Sequence, residues 1–69
     1  MTSAKLIAAG EALYGSRWKS PLARDLDISK RTIERWANGE WPVPLDVGPM
    51  LRSLLDARGT EIARLVKTL

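Results

Sequence analysis

Helix-punctuating signals in the stretch KSPLARDLDISKRTIERWAN, from Lys19 to Asn38, and in the Gly39 that follows it leave room for two short helices joined by a tight turn. Ser20 followed by Pro21 is a helix start, with Ser as N-cap and Pro at the first helical position, where its missing N–H has no intrahelical use. That helix cannot exceed about two turns before Asp27. Ser29 opens the next one, its side-chain oxygen placed to accept from the N–H of Arg31 or Thr32. This helix runs to Asn38, with Gly39 beyond it as a left-handed cap.

The second of the pair separates into faces. At about 100° per residue, Ile33, Trp36 and Ala37 share one stripe, Arg31, Glu34, Arg35 and Asn38 the opposite one, and Lys30 and Thr32 the flanks. Lys30 and Arg31 stand in the first turn, where the helix dipole disfavours cations. Arg31 and Arg35 are like charges four apart, and together these features cost roughly 0.5–1.5 kcal/mol. By itself the face reads either as a wet one, with Lys30 and Glu34 as a weak pair, or as a docking face for an anion that removes the repulsion. The preceding helix favours the anion: Leu22, Ala23 and Leu26 form its inward face, and the small Ala23 lets the next helix cross closely.

Ala23, Leu26, Ile28, Ser29, Ile33 and Trp36 match by type and spacing the helix-turn-helix of the phage Cro and lambda-repressor family, which this stretch resembles over about 20 residues. Where the family carries a turn glycine this chain has Asp27, at a position expected to have positive φ, which Asp tolerates better than most residues but less well than Gly. The resemblance implies a third helix lying in the major groove of double-stranded DNA. Its base-contacting candidates are Lys30, Arg31, Glu34 and Arg35, with Thr32 next. Arg or Lys suits the guanine acceptors, Glu34 a cytosine amine, and Thr32 a thymine methyl. Lys19, Ser20 and Asn38 are phosphate candidates, with Arg17 from the linker.

Charge is distributed as that reading requires. The segment from Arg17 to Arg35 holds six basic residues (Arg17, Lys19, Arg24, Lys30, Arg31, Arg35) against Asp25, Asp27 and Glu34, which leaves five of each sign elsewhere. The whole net charge of +3 therefore sits in the motif, the footprint of a nucleic-acid-binding face.

The flanking chain reads as a helical scaffold. Thr2 or Ser3 caps a first helix in which Leu6, Ala9, Gly10 and Leu13 recur at three and four, with Tyr14 alongside and Gly15 at its end. Gly10 marks either close packing against another helix or a tolerated weak spot, and Ile7 either the core edge or a dimer surface. Trp18, in the Ser16–Lys19 link, is expected to pack against the domain. After Gly39 the segment EWPVP is a rigid loop, and Trp41 is expected to plug the core rather than stand exposed beside DNA. A fourth helix begins near Asp46, since Pro49 must lie in a first turn, carries Met50, Leu51, Leu54 and Leu55 inward, and stops at Gly59. Thr60 caps a fifth, whose Ile62, Leu65, Val66 and Leu69 form an apolar stripe that either folds back or, in the reading adopted, meets its copy in a homodimer.

The expected architecture is thus all-α: one compact five-helix domain over 1–69, with a helix-turn-helix formed by the second and third helices. At 69 residues the chain buries only about 60% of its unfolded surface, so dimerisation would help it. With no cysteine and no histidine, disulfides and the usual zinc sites are excluded, and neither cofactor nor small-molecule ligand is expected. No apolar run nears 18 residues and no signal peptide is visible, which reads as no membrane partner and a cytoplasmic protein. Scattered single carboxylates offer no acid–base pair, so an enzyme is not expected. The function expected is a sequence-specific DNA-binding transcriptional regulator, a repressor on a palindromic operator. The alternative is a DNA-binding antitoxin or a protein-interaction adaptor on the same scaffold.

Overall fold

Local hydrogen bonding sets most of the helix ends in the computed structural model, which describes all residues from Met1 to Leu69. Thr2 accepts from the Lys5 N–H and opens α1 (Ser3–Tyr14), which Gly15 ends at φ 82°. A 3₁₀ turn over Gly15–Arg17 leads to α2 (Lys19–Leu26), followed by α3 (Lys30–Ala37) and α4 (Val47–Thr68). There are four α-helices and no strand.

One core holds them together. Leu6 and Leu13 of α1, Leu22 and Ala23 of α2, Ile33 and Trp36 of α3, and Val47 and Leu51 of α4 are buried with Trp18 and Val43. Ile7 packs half-buried at the core edge. Gly10 is the point of closest approach: a Cβ there would overlap the Trp18 ring, so the indole lies directly on the α1 backbone. Two polar contacts tie the helices further. Ser3 Oγ donates to the Trp36 carbonyl at 2.6 Å, joining the start of α1 to the end of α3. The Tyr14 hydroxyl donates to the Asp25 carboxylate and joins α1 to α2. Burial, then the Asp25 hydrogen bond and charge, push the Tyr14 hydroxyl up to about 12.

The expected five helices are corrected to four, because the break at Gly59 does not occur. Gly59 lies inside α4, and Thr60 donates its hydroxyl to the Asp56 carbonyl one turn back instead of capping a new helix. Extending a helix through one glycine costs about 1 kcal/mol against alanine, which is less than nucleating a new helix a few residues later. Arg58 and Glu61 also pair across the position at 3.8 Å.

Three finer expectations also change. α2 starts two residues earlier than expected, at Lys19 rather than Pro21, and Trp18 rather than Ser20 is its N-cap, because the Leu22 N–H donates to the Trp18 carbonyl at 3.0 Å; Ser20 and Pro21 then fall in the first turn, where no N–H is needed. On α4 only Leu51 and Leu54 of the four expected inward residues turn to the core, Leu54 half-buried, while Met50 and Leu55 are exposed. A straight helix lays one narrow stripe on its neighbour, and here that stripe is Val47, Leu51, Leu54 and Arg58. Arg58 completes it by donating to the Leu13 carbonyl near the end of α1 at 2.7 Å, a cation at the negative end of a helix. Finally, Trp41 is not the plug: it is 45% exposed, and Val43 covers the core instead.

Candidate nucleic-acid interface

α2 and α3 are joined by three residues, and both helices end on the same hydrogen-bonded cap. At the end of α2, Asp27 is left-handed (φ 57°, ψ 46°), its N–H donates to the Arg24 carbonyl, and the Ile28 N–H reaches the Ala23 carbonyl at 2.9 Å. At the end of α3, Gly39 has φ 78°, its N–H donates to the Trp36 carbonyl, and the Glu40 N–H reaches the Arg35 carbonyl at 3.0 Å. Ser29 stands between the helices, extended, its Oγ accepting from the Thr32 N–H at 3.2 Å. Burial of Ile33 and Trp36 then fixes which side of α3 faces out.

That outer side carries the expected base-reading residues in unequal situations. Lys30 and Arg31 are exposed, and neither has an acidic side chain within 4.0 Å, since the one ion pair of the molecule is Arg58 with Glu61. Glu34 is half-buried and likewise outside any ion pair. Thr32 is half-buried, and its hydroxyl lies 2.9 Å from the Ser29 oxygen, so it belongs partly to the cap. The Arg35 guanidinium lies over the Trp41 ring, 4.3 Å from its centre.

The expected phosphate residues divide into two places. Arg17, Lys19 and Ser20 come together with Ser16 and with Lys30, the first residue of α3, around a polar depression of about 150 Å³ that no acidic or apolar side chain lines. Lys30, expected among the base readers, therefore stands with the phosphate group. Lys19 also approaches the Trp18 ring, its Nζ 6.0 Å from the centre. Asn38 is exposed at the far end of α3, roughly 12 Å along the helix axis, and does not join that group. The depression was not legible in the sequence, because its residues come from the linker, α2 and α3. Trp41 beside Arg35 was missed for the same reason.

The stripe expected on a last helix lies on the free half of α4. Ile62, Leu65, Val66 and Leu69 are between 54% and 103% exposed, so they do not fold back onto this chain's core.

No family model, no curated protein and no solved structure matches the chain. No helix is long and apolar enough to cross a membrane.

Proposed function

We propose that this chain is a sequence-specific double-stranded DNA-binding regulator of the Cro and lambda-repressor kind that residues 19–38 resemble, acting in the cytoplasm as a repressor. One observation carries the reading: Arg17, Lys19, Ser20 and Lys30, from three separate segments, converge on one polar depression beside the outward face of α3. Unpaired cations gathered without an acidic neighbour repel one another in the free protein, and an anion such as a backbone phosphate relieves them. A helix N-terminus at the same place adds its own partial positive charge.

In this reading the depression seats a phosphate, and α3 lies in the major groove. Arg31 and Arg35 meet guanine edges, Glu34 a cytosine amine and Thr32 a thymine methyl. Asn38 contacts a phosphate at the other end of α3. A second copy, joined through Ile62, Leu65 and Val66 of α4 and Leu69 just past its end, doubles the contact on a palindromic operator. Selection of bound sequences from random duplexes at fixed salt tests this: a consensus with two inverted half-sites is expected, and no enrichment over the starting pool would end the DNA reading.

The same α4 stripe favours a second reading, an antitoxin or adaptor whose partner is a different protein. A stoichiometric heterologous partner in a pull-down, together with salt-insensitive or absent duplex binding, would favour it.

A further inference from the structure

We propose that Trp41 is a positioning residue for Arg35, a flat platform that holds the guanidinium ready to read a guanine edge; this rests on the DNA reading above. Trp41 is 45% exposed, yet its backbone is tied down. Its N–H and that of Glu40 both donate to the carbonyl of Arg35, at 3.3 and 3.0 Å, after the left-handed turn at Gly39. On its other side, Pro42 and Pro44 restrict the chain around Val43, which is buried in the core. The indole is therefore fastened to the very residue whose side chain lies over it, with 4.3 Å between the guanidinium carbon and the ring centre.

The chemistry of a guanidinium makes this arrangement useful. Its π face can rest on an aromatic ring while its N–H donors, which lie in its own plane, stay available at the edge for a bidentate contact. A free arginine loses rotamer freedom when it binds a base, whereas one already stacked has lost it beforehand. Arg31, one turn earlier on the same helix, is exposed and has no aromatic beneath it. The two arginines of this face thus differ: Arg35 is pre-ordered and Arg31 is free.

The test is a double-mutant cycle of Trp41→Ala and Arg35→Ala, with Trp41→Phe as the conservative variant, on the selected duplex and on a scrambled one at a single salt concentration. Trp41→Ala should weaken the selected duplex about two- to tenfold and leave the scrambled one unchanged, while Trp41→Phe keeps most of the affinity. In the Arg35→Ala background, Trp41→Ala should cost nothing further. An equal loss in both backgrounds would overturn the inference, because Trp41 would then be acting without Arg35. The stack is read separately, without DNA, from the upfield ring-current shift of the Arg35 δ protons in the wild type and its disappearance in Trp41→Ala. Absence of that shift also overturns the inference. A shift that is present in a protein unable to tell the two duplexes apart would instead bring down the DNA reading, and the reading role of Arg35 with it.

Discussion

α3 and residues 59–69 of α4 both turn a face to water, but they do so with opposite chemistry and opposite support. α3 is eight residues long, capped by Ser29 at one end and by a left-handed Gly39 at the other, and pinned to the core through Ile33 and Trp36. Its free face is charged, which water tolerates. The end of α4 has no buried residue, and its free face presents Ile62, Leu65, Val66 and Leu69 to solvent. A basic face on a rigid support suits an anion met at fixed geometry, whereas an apolar face on an unsupported helix gains most by being covered. One molecule thus carries two unfilled surfaces of different kinds, consistent with a chain that grips DNA with one and a second copy with the other.

The contrast predicts its largest effects in one pair of changes. Leu65→Glu should leave the monomer folded but lower affinity for a full operator by roughly a hundredfold or more, as two half-sites are no longer held together. Ile33→Ala should instead cost about 2–5 kcal/mol of stability, because it opens a cavity under α3. Denaturant titration and sedimentation of both variants separate the two cases, and unfolding of Leu65→Glu would show that the fold itself depends on this stripe being covered.

Gly10 in α1 and Gly59 in α4 give the next contrast. Gly10→Ala drives a methyl into Trp18 and should destabilise by about 1–3 kcal/mol. Gly59→Ala meets nothing within 4 Å and should stabilise by up to about 1 kcal/mol through helix propensity alone. Thermal melts decide it, and a loss of stability at Gly59 would mean that α4 breaks there in solution.

Within the basic face, Arg31→Ala should weaken the preferred duplex by about 1–3 kcal/mol and barely affect random DNA. Lys19→Ala should weaken both alike and make the salt slope shallower by about one unit. Titrations at several salt concentrations separate reading from gripping; equal losses on both duplexes for Arg31→Ala would show a face that is merely basic. The smallest effect is expected at the turn. Asp27→Gly removes a side chain from a left-handed residue but frees the unfolded chain, so the net gain should lie between nothing and about 1 kcal/mol, with DNA binding retained. A clear loss in the melt would show that the Asp27 side chain itself holds the turn.

Much of the helical framework was legible because its signals are local. The caps at Thr2 and Ser29 and the left-handed positions at Asp27 and Gly39 depend on groups within five residues of one another. The stripe of Ile33 and Trp36 follows from helical period in the same way. The candidate site was legible only residue by residue. Arg17, Lys19, Ser20 and Lys30 could each be named from charge and position, but not as the lining of one depression, and Arg35 could be named but not its contact with Trp41.

The sequence by itself placed the ends of α1 and α3 to within a residue, and determined which side of α3 is apolar and that the net charge lies between Arg17 and Arg35, since these depend on neighbours along the chain. The tertiary structure decided the rest. It tied α4 to α1 just before Gly59, where the sequence suggested a stop, through the Arg58 guanidinium on the Leu13 carbonyl. It also chose Val43 over Trp41 to close the core. Both residues are apolar and stand two apart, so local pattern does not separate them; the hydrogen bonds to the Arg35 carbonyl hold the larger one outside.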